Sequence, residues 1–134
     1  MLLILTKYYG GGYKNYDCIV CCQVLEHLKK MHFETIVSKF SKLCEDTCII
    51  SLPAVYGYVC LELKAPKIHM RKCFRFPFNF WREYKFSGEH YWELGFKSHS
   101  IEQVEKVMKK YFYLEKKYFV DKNPYHCFFI LRKI

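Results

Sequence analysis

Two short stretches carry side chains that could transfer a proton. Glu26 and His27 are adjacent and follow an apolar run, and His90 occurs in a later aromatic segment. A carboxylate beside an imidazole can act as acid and base near neutral pH, because histidine titrates there. We therefore predict that Glu26, His27 and His90 are catalytic. The alternative for His27 is a hydrogen-bonded packing residue.

The residues after His90 are candidates for substrate contact. Tyr91, Trp92 and Glu93 place two aromatic rings and a second carboxylate next to an imidazole. Such a group can hold a substrate and complete an active site with Glu26. The alternative is a cluster that only packs, with Trp92 as its anchor.

A strand, a helix and a strand must position these groups. Residues 16–22 form an almost continuous apolar run, typical of a strand buried on both faces. Residues 32–43 have apolar side chains at helical spacing, and 47–52 is a second buried strand that Pro53 stops. The order predicts a βαβ unit. Residues 23–30, which follow the first strand, are predicted to form a helix or a turn.

Cys21, Cys22 and Gln23 come at the carboxyl end of the first of these strands. In open α/β sheets, ligands bind outside the carboxyl ends of the strands. Packing alone is the other interpretation of each cysteine.

Residues 54–99 are aromatic and basic, and they show no sustained period. Long ordered insertions in compact domains are often lids or binding loops, so we predict that 54–99 covers the substrate. Between Lys64 and Lys85, cations alternate with aromatic rings. Nucleic acid, a saccharide, a nucleotide sugar and a lipid phosphate would all suit such residues.

The C-terminal residues predict a helix and a hairpin. Ser100 is a good N-cap, and Gln103 three residues later completes a capping box. Two strand-like runs follow, at 113–120 and 125–131, and the turn-rich residues 121–124 join them. The chain is thus expected to end in an antiparallel β-hairpin.

Length, charge and cysteines restrict the class of protein. The 134 residues suit one domain, 1–134, and the net charge of +9 suits either a solvated surface or a polyanionic partner. The eight cysteines have no second pair at zinc-knuckle spacing and no signal peptide before them, so we expect reduced thiols in the cytoplasm. No apolar run approaches the ~18 residues of a membrane span, and no membrane partner is expected.

Four strings occur in an order that is informative. The first runs from Tyr16-Asp17 to Val24-Leu25-Glu26-His27-Leu28, and the others are residues 49–53, 88–95 and 123–129. In this order they resemble the fourth strand onward of bacterial class I S-adenosylmethionine-dependent methyltransferases. The implied fold is α/β: a partial Rossmann-like class I methyltransferase sheet with the third to seventh strands, lacking the first two strands. It also ends in an antiparallel β-hairpin.

The resemblance assigns ligands to these residues. The cofactor would be S-adenosylmethionine, with Cys21, Cys22 and Gln23 on its methionine and adenine side. In small-RNA 2′-O-methyltransferases a similar Glu-x-x-Glu-His segment binds a divalent metal with a distant histidine. Here Gln23 replaces the first glutamate, so no metal site is predicted.

The family's glycine-rich cofactor turn is missing from this sequence. Residues 10–12 are glycines but precede the fourth strand, and we expect a flexible crossing there. By position, Met1–Leu5 would be a remnant of the third strand. The strand at 16–22 would then have an uncovered edge, so we expect a truncated domain or one half of a complex.

Three functions follow. The first is methyl transfer to an oxygen or nitrogen of an unknown acceptor, with the acceptor side of the site on this chain. The second is a non-catalytic remnant or binding subunit, which would self-associate or pair with a chain that supplies the missing strands. The third is a basic nucleic-acid-binding domain.

Overall fold

A mixed five-stranded sheet forms the body of the protein. The computed structural model describes residues 2–5, 15–120 and 123–134. In it the strands β1 and β2 are followed by the helix α1, the strand β3, the hairpin β4–β5, the helix α2 and the strands β6 and β7. The large sheet has the order β1-β2-β3-β7-β6, and β4 and β5 form a separate two-stranded sheet. The bounds are β1 Leu2–Leu5, β2 Tyr16–Cys22, α1 Phe33–Leu43, β3 Cys44–Pro53, β4 Gly57–Ala65, β5 Ile68–Phe76, α2 Ile101–Met108, β6 Phe112–Val120 and β7 Asn123–Lys133.

The predicted βαβ unit is present. β2 and β3 pair in parallel, with Ile19 opposite Cys48 and Cys21 opposite Ile50. The connection contains α1 and two short 3₁₀ helices, Leu25–His27 and Lys30–His32. Pro53 is the last residue of β3, in agreement with the predicted stop.

The predicted C-terminal helix and hairpin are also confirmed. The Ser100 side chain accepts from the Gln103 backbone N–H, and the Gln103 side chain accepts from the Ser100 N–H, which is a complete capping box. β7 then returns between β3 and β6, antiparallel to both. Residues 121–122 of the predicted linker lie outside the described residues.

The first strand differs from the expectation. β1 pairs directly with β2 and runs antiparallel to it, with Ile4 opposite Ile19. The expected third strand would be parallel to its neighbours and away from β2, so the assignment of Met1–Leu5 was wrong. An antiparallel partner needs only a short connection, whereas a parallel one needs a crossover of a dozen or more residues. β1 therefore covers the edge that was expected to be open. The glycines at 10–12 lie outside the described residues.

One face of the large sheet holds the core. Ile19, Ile50 and Phe129 are almost fully buried there against residues of both helices, including Val37 and Val104. Because side chains alternate along a strand, their neighbours lie on the opposite face. These neighbours include Val20, Cys22, Ile49, Phe128 and Ile130, which are apolar and only partly buried. Neither helix of the described residues has its buried side against this second face.

Residues 54–99 contain regular structure that the sequence analysis missed. β4 and β5 pair along their whole length, and Pro66 and Lys67 form the turn between them. Lys67 takes a positive φ of 69°, which suits the second central position of a type II turn with proline before it. Cys60 and Cys73 face each other in this hairpin and form a disulfide. The expectation of reduced thiols was therefore wrong for this pair. Only the pairing of β4 with β5 brings the two cysteines opposite each other.

No helix among the described residues has the length and apolar character needed to cross a membrane.

Candidate functional site

The end of β2 positions Glu26 and His27. After Cys22 the backbone turns at Gln23, which has a φ of 57°, and the 3₁₀ helix Leu25–His27 follows. This turn directs Glu26 into the protein, where it is 1% exposed, while His27 stays at the surface.

The segment after the hairpin brings His90 to the same place. The Tyr91 N–H donates to the Glu26 backbone oxygen at 2.8 Å, which fixes the two segments side by side. His27 Nδ1 lies 3.0 Å from the Glu89 carbonyl oxygen, and the rings of His27 and His90 have centroids 4.9 Å apart. The structure thus brings together the three residues predicted to be catalytic.

Hydrogen bonds define the tautomer of both imidazoles. A carbonyl oxygen can only accept, so Nδ1 of His27 carries the proton that it shares with Glu89. His90 Nδ1 lies 2.7 Å from Glu93 Oε1, and a carboxylate likewise accepts. In each neutral ring Nε2 then keeps the lone pair, which suits a base or a metal ligand.

Glu26 has an exceptional environment. Its Oε2 is buried without a hydrogen-bond partner among the described residues. A buried carboxylate oxygen without a partner is costly, and cations or donor groups commonly compensate such an oxygen. A group that donates to, or coordinates, this carboxylate would therefore stabilise it.

Glu26, His27 and His90 also have the composition of a metal site. One ligand atom of each lies within 4.8 Å of the others. Two ligands of a tetrahedral Zn²⁺ at about 2.1 Å each are about 3.4 Å apart, so groups as far apart as 4.8 Å would need to approach by more than about 1 Å. Gln23, where small-RNA methyltransferases have a further glutamate, does not join them. Its Nε2 is 3.2 Å from His126 Nε2 instead.

The three predicted cofactor residues differ in exposure. Cys21 is 1% exposed, and burial, followed by the neighbouring Cys22, raises the pKa of its thiol to about 12. Its packing alternative is thereby favoured. Cys22 is partly exposed on the second face of the sheet, and Gln23 is exposed. Cofactor contact by these two residues stays a prediction, and the sequence offers no glycine-rich cofactor turn.

The three predicted substrate residues also have different roles. Trp92 is 1% exposed, its ring centroid is 5.4 Å from that of Phe33, and its Nε1 donates to the Leu28 carbonyl oxygen at 3.0 Å. The core encloses the Trp92 ring, which favours the packing alternative for this residue. Tyr91 remains 44% exposed, and Glu93 orients His90.

Two residues near the site were missed. The Tyr84 hydroxyl is 3.5 Å from Glu93 Oε1 and donates to the His90 carbonyl oxygen at 3.3 Å, so it supports both residues. His126 contacts Gln23 from the neighbouring strand β7. Only the Gln23–His126 contact joins residues far apart in the chain, whereas Tyr84 lies six and nine residues from His90 and Glu93. The signals in the sequence were that Tyr84 lies in an aromatic run and His126 in a histidine-containing motif.

A surface depression of about 370 Å³ lies elsewhere, along α2. None of the predicted site residues borders it. Its lining consists of Glu102, Glu105, Lys106, Lys109 and Lys110.

Comparisons with known proteins agree on the fold. No protein-family model matches the sequence, and no curated protein does. The structure is similar to magnesium protoporphyrin IX methyltransferase (ChlM) from Synechocystis PCC 6803 with bound SAM, with a TM-score of 0.51 and 14% identity over 91% of this chain and 41% of that one. The same enzyme with bound SAH gives a TM-score of 0.54 and 12% identity over 91% and 47%. The PH0226 protein from Pyrococcus horikoshii OT3 gives 0.52 and 13% over 90% and 56%.

The chain has a methyltransferase-like α/β fold with a mixed sheet. It spans about half the length of these solved structures. At this level of identity, the likeness describes the fold and not the reaction.

Proposed function

We propose that this chain is the acceptor-side part of an S-adenosylmethionine-dependent methyltransferase of the bacterial class I type. The observation that carries the proposal is the convergence of Glu26, His27 and His90 just beyond the carboxyl end of β2. Ligands bind in this position in α/β sheets of this kind. In the family's strand numbering, β2, β3, β6 and β7 would be the fourth to seventh strands.

The chain's own residues would hold the acceptor and take its proton. The cofactor supplies an activated methyl group, and the acceptor is an oxygen or nitrogen nucleophile. His27 Nε2 or His90 Nε2 accepts the proton that the nucleophile loses as the new C–O or C–N bond forms and the C–S bond breaks. Glu89 and Glu93 hold the two rings through Nδ1. Orientation supplies most of the rate increase in such a transfer, and proton removal supplies less.

A partner is part of this proposal. The second face of the sheet presents the partly buried Val20, Ile49, Phe128 and Ile130, and sheets of this class carry helices on both faces. A partner chain, or a second copy, would cover this face and supply the cofactor contacts that this sequence lacks. The alternative of a non-catalytic binding subunit requires the same cover.

Titration of the chain with S-adenosylhomocysteine, followed by NMR, tests the proposal. We expect weak, millimolar binding with shifts confined to Cys22, Gln23 and Glu26. The variant Gln23→Ala should weaken binding, whereas Gln103→Ala on α2 should not. Submicromolar binding would show that this chain needs no partner, and shifts elsewhere in the sheet, or none at all, would contradict the cofactor assignment.

A second candidate function is metal-assisted transfer. The buried Glu26 Oε2, which has no partner among the described residues, together with two imidazoles favours a borderline divalent cation such as Zn²⁺. Calorimetric titration with Zn²⁺ should show one site that His90→Ala abolishes and His32→Ala, at an exposed position, retains. Equal binding by both variants would assign the metal to other residues and leave the acid–base role.

A further inference from the structure

The β4–β5 hairpin, residues 57–76, separates its apolar and charged side chains completely enough to suggest a docking surface. Side chains alternate along each strand, and the register places Val59 opposite Phe74 and Leu63 opposite Met70 on one face. That face carries seven large apolar side chains, each between 43% and 64% exposed. They are Val59, Leu61, Leu63, Ile68, Met70, Phe74 and Phe76. We call this set the apolar face of the hairpin.

The opposite face is polar and contains the disulfide. Glu62 accepts from Lys64 and contacts His69 on this face, and Arg71 is paired with Glu62 in the strand register. The hairpin as a whole has five Lys and Arg residues and one acidic residue. Its local charge is therefore strongly positive.

The orientation of the hairpin leaves the apolar face directed away from the body. At its base the Arg75 guanidinium carbon lies 4.6 Å from the centroid of the Phe119 ring on β6. Arg75 belongs to the charged face, so that face is the one turned toward the large sheet. Nothing among the described residues covers the apolar face, and the neighbouring Phe78, Phe80 and Trp81 are more than half exposed as well.

The size of the surface exceeds what a monomer ordinarily exposes. Seven such side chains, each about half exposed, present roughly 700 Å² of apolar area, whereas the largest patch on a typical monomer is about 300–600 Å². Burial of this area at about 25 cal/mol per Å² would be strongly favourable.

The distribution of charge selects among possible occupants. Bases stack on aromatic rings while nearby cations hold the phosphates, so a nucleic-acid site needs both on one surface. Here Arg71 and Arg75 are on the charged face, whereas Phe74 and Phe76 are on the apolar face. Lys72 is the one cation on the apolar face. A second copy on this face would bring together two hairpins that each carry five Lys and Arg residues and one acidic residue. A lipid surface with acidic headgroups instead needs one apolar face, cations around it and a hydrated opposite side.

We infer that the β4–β5 hairpin docks on an anionic lipid bilayer through its apolar face. The side chains enter the boundary between headgroups and acyl chains, while Lys64 and Lys67 near the tip and Lys72 on the apolar face contact acidic headgroups. The strand edges keep unpaired backbone groups, so the hairpin stays in the hydrated interfacial layer and does not cross the hydrocarbon. No membrane partner was expected from the sequence, because these apolar residues alternate with polar ones and form no continuous run.

Flotation of the full chain with lipid vesicles tests this inference. Phosphatidylcholine vesicles that contain phosphatidylserine should bind the chain, pure phosphatidylcholine vesicles should not, and added salt should weaken binding. The double variant Leu63→Ser/Met70→Ser should lower partitioning at least tenfold. The control Tyr58→Ser/His69→Ser changes the opposite face, leaves every Lys and Arg in place, and should bind like the wild type.

Other outcomes would overturn the inference. Absence of binding at low salt would do so. Equal binding by the Leu63→Ser/Met70→Ser variant would mean that only net charge attracts the chain. If light scattering shows concentration-dependent dimers that the Leu63→Ser/Met70→Ser variant loses, the face binds a second copy. If the wild type binds an oligoribonucleotide and this variant does not, the face binds nucleic acid. Backbone NMR of residues 57–76 confirms that each variant retains the hairpin, which the Cys60–Cys73 disulfide helps to hold.

Discussion

Glu26 has the signature of a residue kept for function at a cost in stability. Its side chain is almost fully buried, and Oε2 has no partner among the described residues. An apolar or neutral residue would suit this position better in a chain that only had to fold. One ring nitrogen of His27 and one of His90 lie within 4.8 Å of a Glu26 carboxylate oxygen, which gives the carboxylate a chemical reason to be there.

Replacement of Glu26 tests this interpretation. Glu26→Gln keeps the shape of the side chain and removes its charge. We therefore expect the free energy of unfolding in urea to stay equal or to rise by up to about 2 kcal/mol. Zn²⁺ binding in calorimetry should be lost. Glu89→Gln, whose side chain is exposed and whose carbonyl still accepts from His27, should leave both measurements unchanged. A marked loss of stability in Glu26→Gln would mean that the carboxylate is structural.

His99 should make stability fall in acid. Burial, and secondarily the charge of Lys30, lower its pKa from 6.5 to about 4, and its ring stacks on Trp92. Between these pH values the unfolded chain binds more protons than the folded one, so stability rises with pH through this range and is lost as pH falls. The partly exposed ring limits the effect to about 1–2 kcal/mol.

Urea titrations at pH 4 to 7 measure that contribution. His99→Phe keeps an aromatic ring against Trp92 and should flatten the pH dependence by this amount. His32→Phe, at an exposed position, should retain the slope of the wild type. Identical slopes in all three proteins would show that His99 binds its proton equally well in the folded and unfolded states.

At the scale of elements, local signals determined α2 well. The capping box of Ser100 and Gln103 was predicted from the sequence because both partners lie within one turn. Ser100→Ala should destabilise the protein by about 1 kcal/mol in urea, through the loss of the cap. Thr35→Ala on the exposed side of α1 should change stability by less than half as much. Equal effects would indicate that the cap contributes nothing beyond helix propensity.

The β4–β5 hairpin shows where sequence interpretation at this scale was incomplete. Val59, Leu61 and Leu63 alternate with polar residues, and Ala65-Pro66-Lys67 is a turn signal. The sequence thus contains the local signals of a β-hairpin. Residues 54–99 taken as a whole show no sustained period, so the hairpin was not predicted. The disulfide could not be predicted with it, since only the register brings Cys60 opposite Cys73.

At the scale of the whole molecule, Trp92 holds residues 77–99 against the body. Its indole packs on Phe33 and His99, and its N–H reaches Leu28. Because His90 and Glu93 belong to the same segment, the geometry of the site depends on this anchor. Trp81 in the same segment is 54% exposed and makes no such contact with the core.

The two tryptophans form a matched pair for a test. Trp92→Phe loses buried volume and a hydrogen bond, and should cost about 2 kcal/mol in urea unfolding. Trp81→Phe should cost less than about 0.5 kcal/mol. The remaining tryptophan should emit at short wavelength in Trp81→Phe and at long wavelength in Trp92→Phe. The reverse order would place the segment 77–99 differently from the structure.

The sequence by itself determined the parallel pair β2 and β3, both helices and the C-terminal hairpin. Each depends on local periodicity, caps or turns, which neighbouring residues encode. It also singled out Glu26, His27 and His90, since chemistry depends on residue type. Only the tertiary structure decided that these three converge, that β1 runs antiparallel beside β2, and that Trp92 is core rather than surface. Such contacts join residues distant in the chain, and packing of the whole molecule, not local preference, selects them.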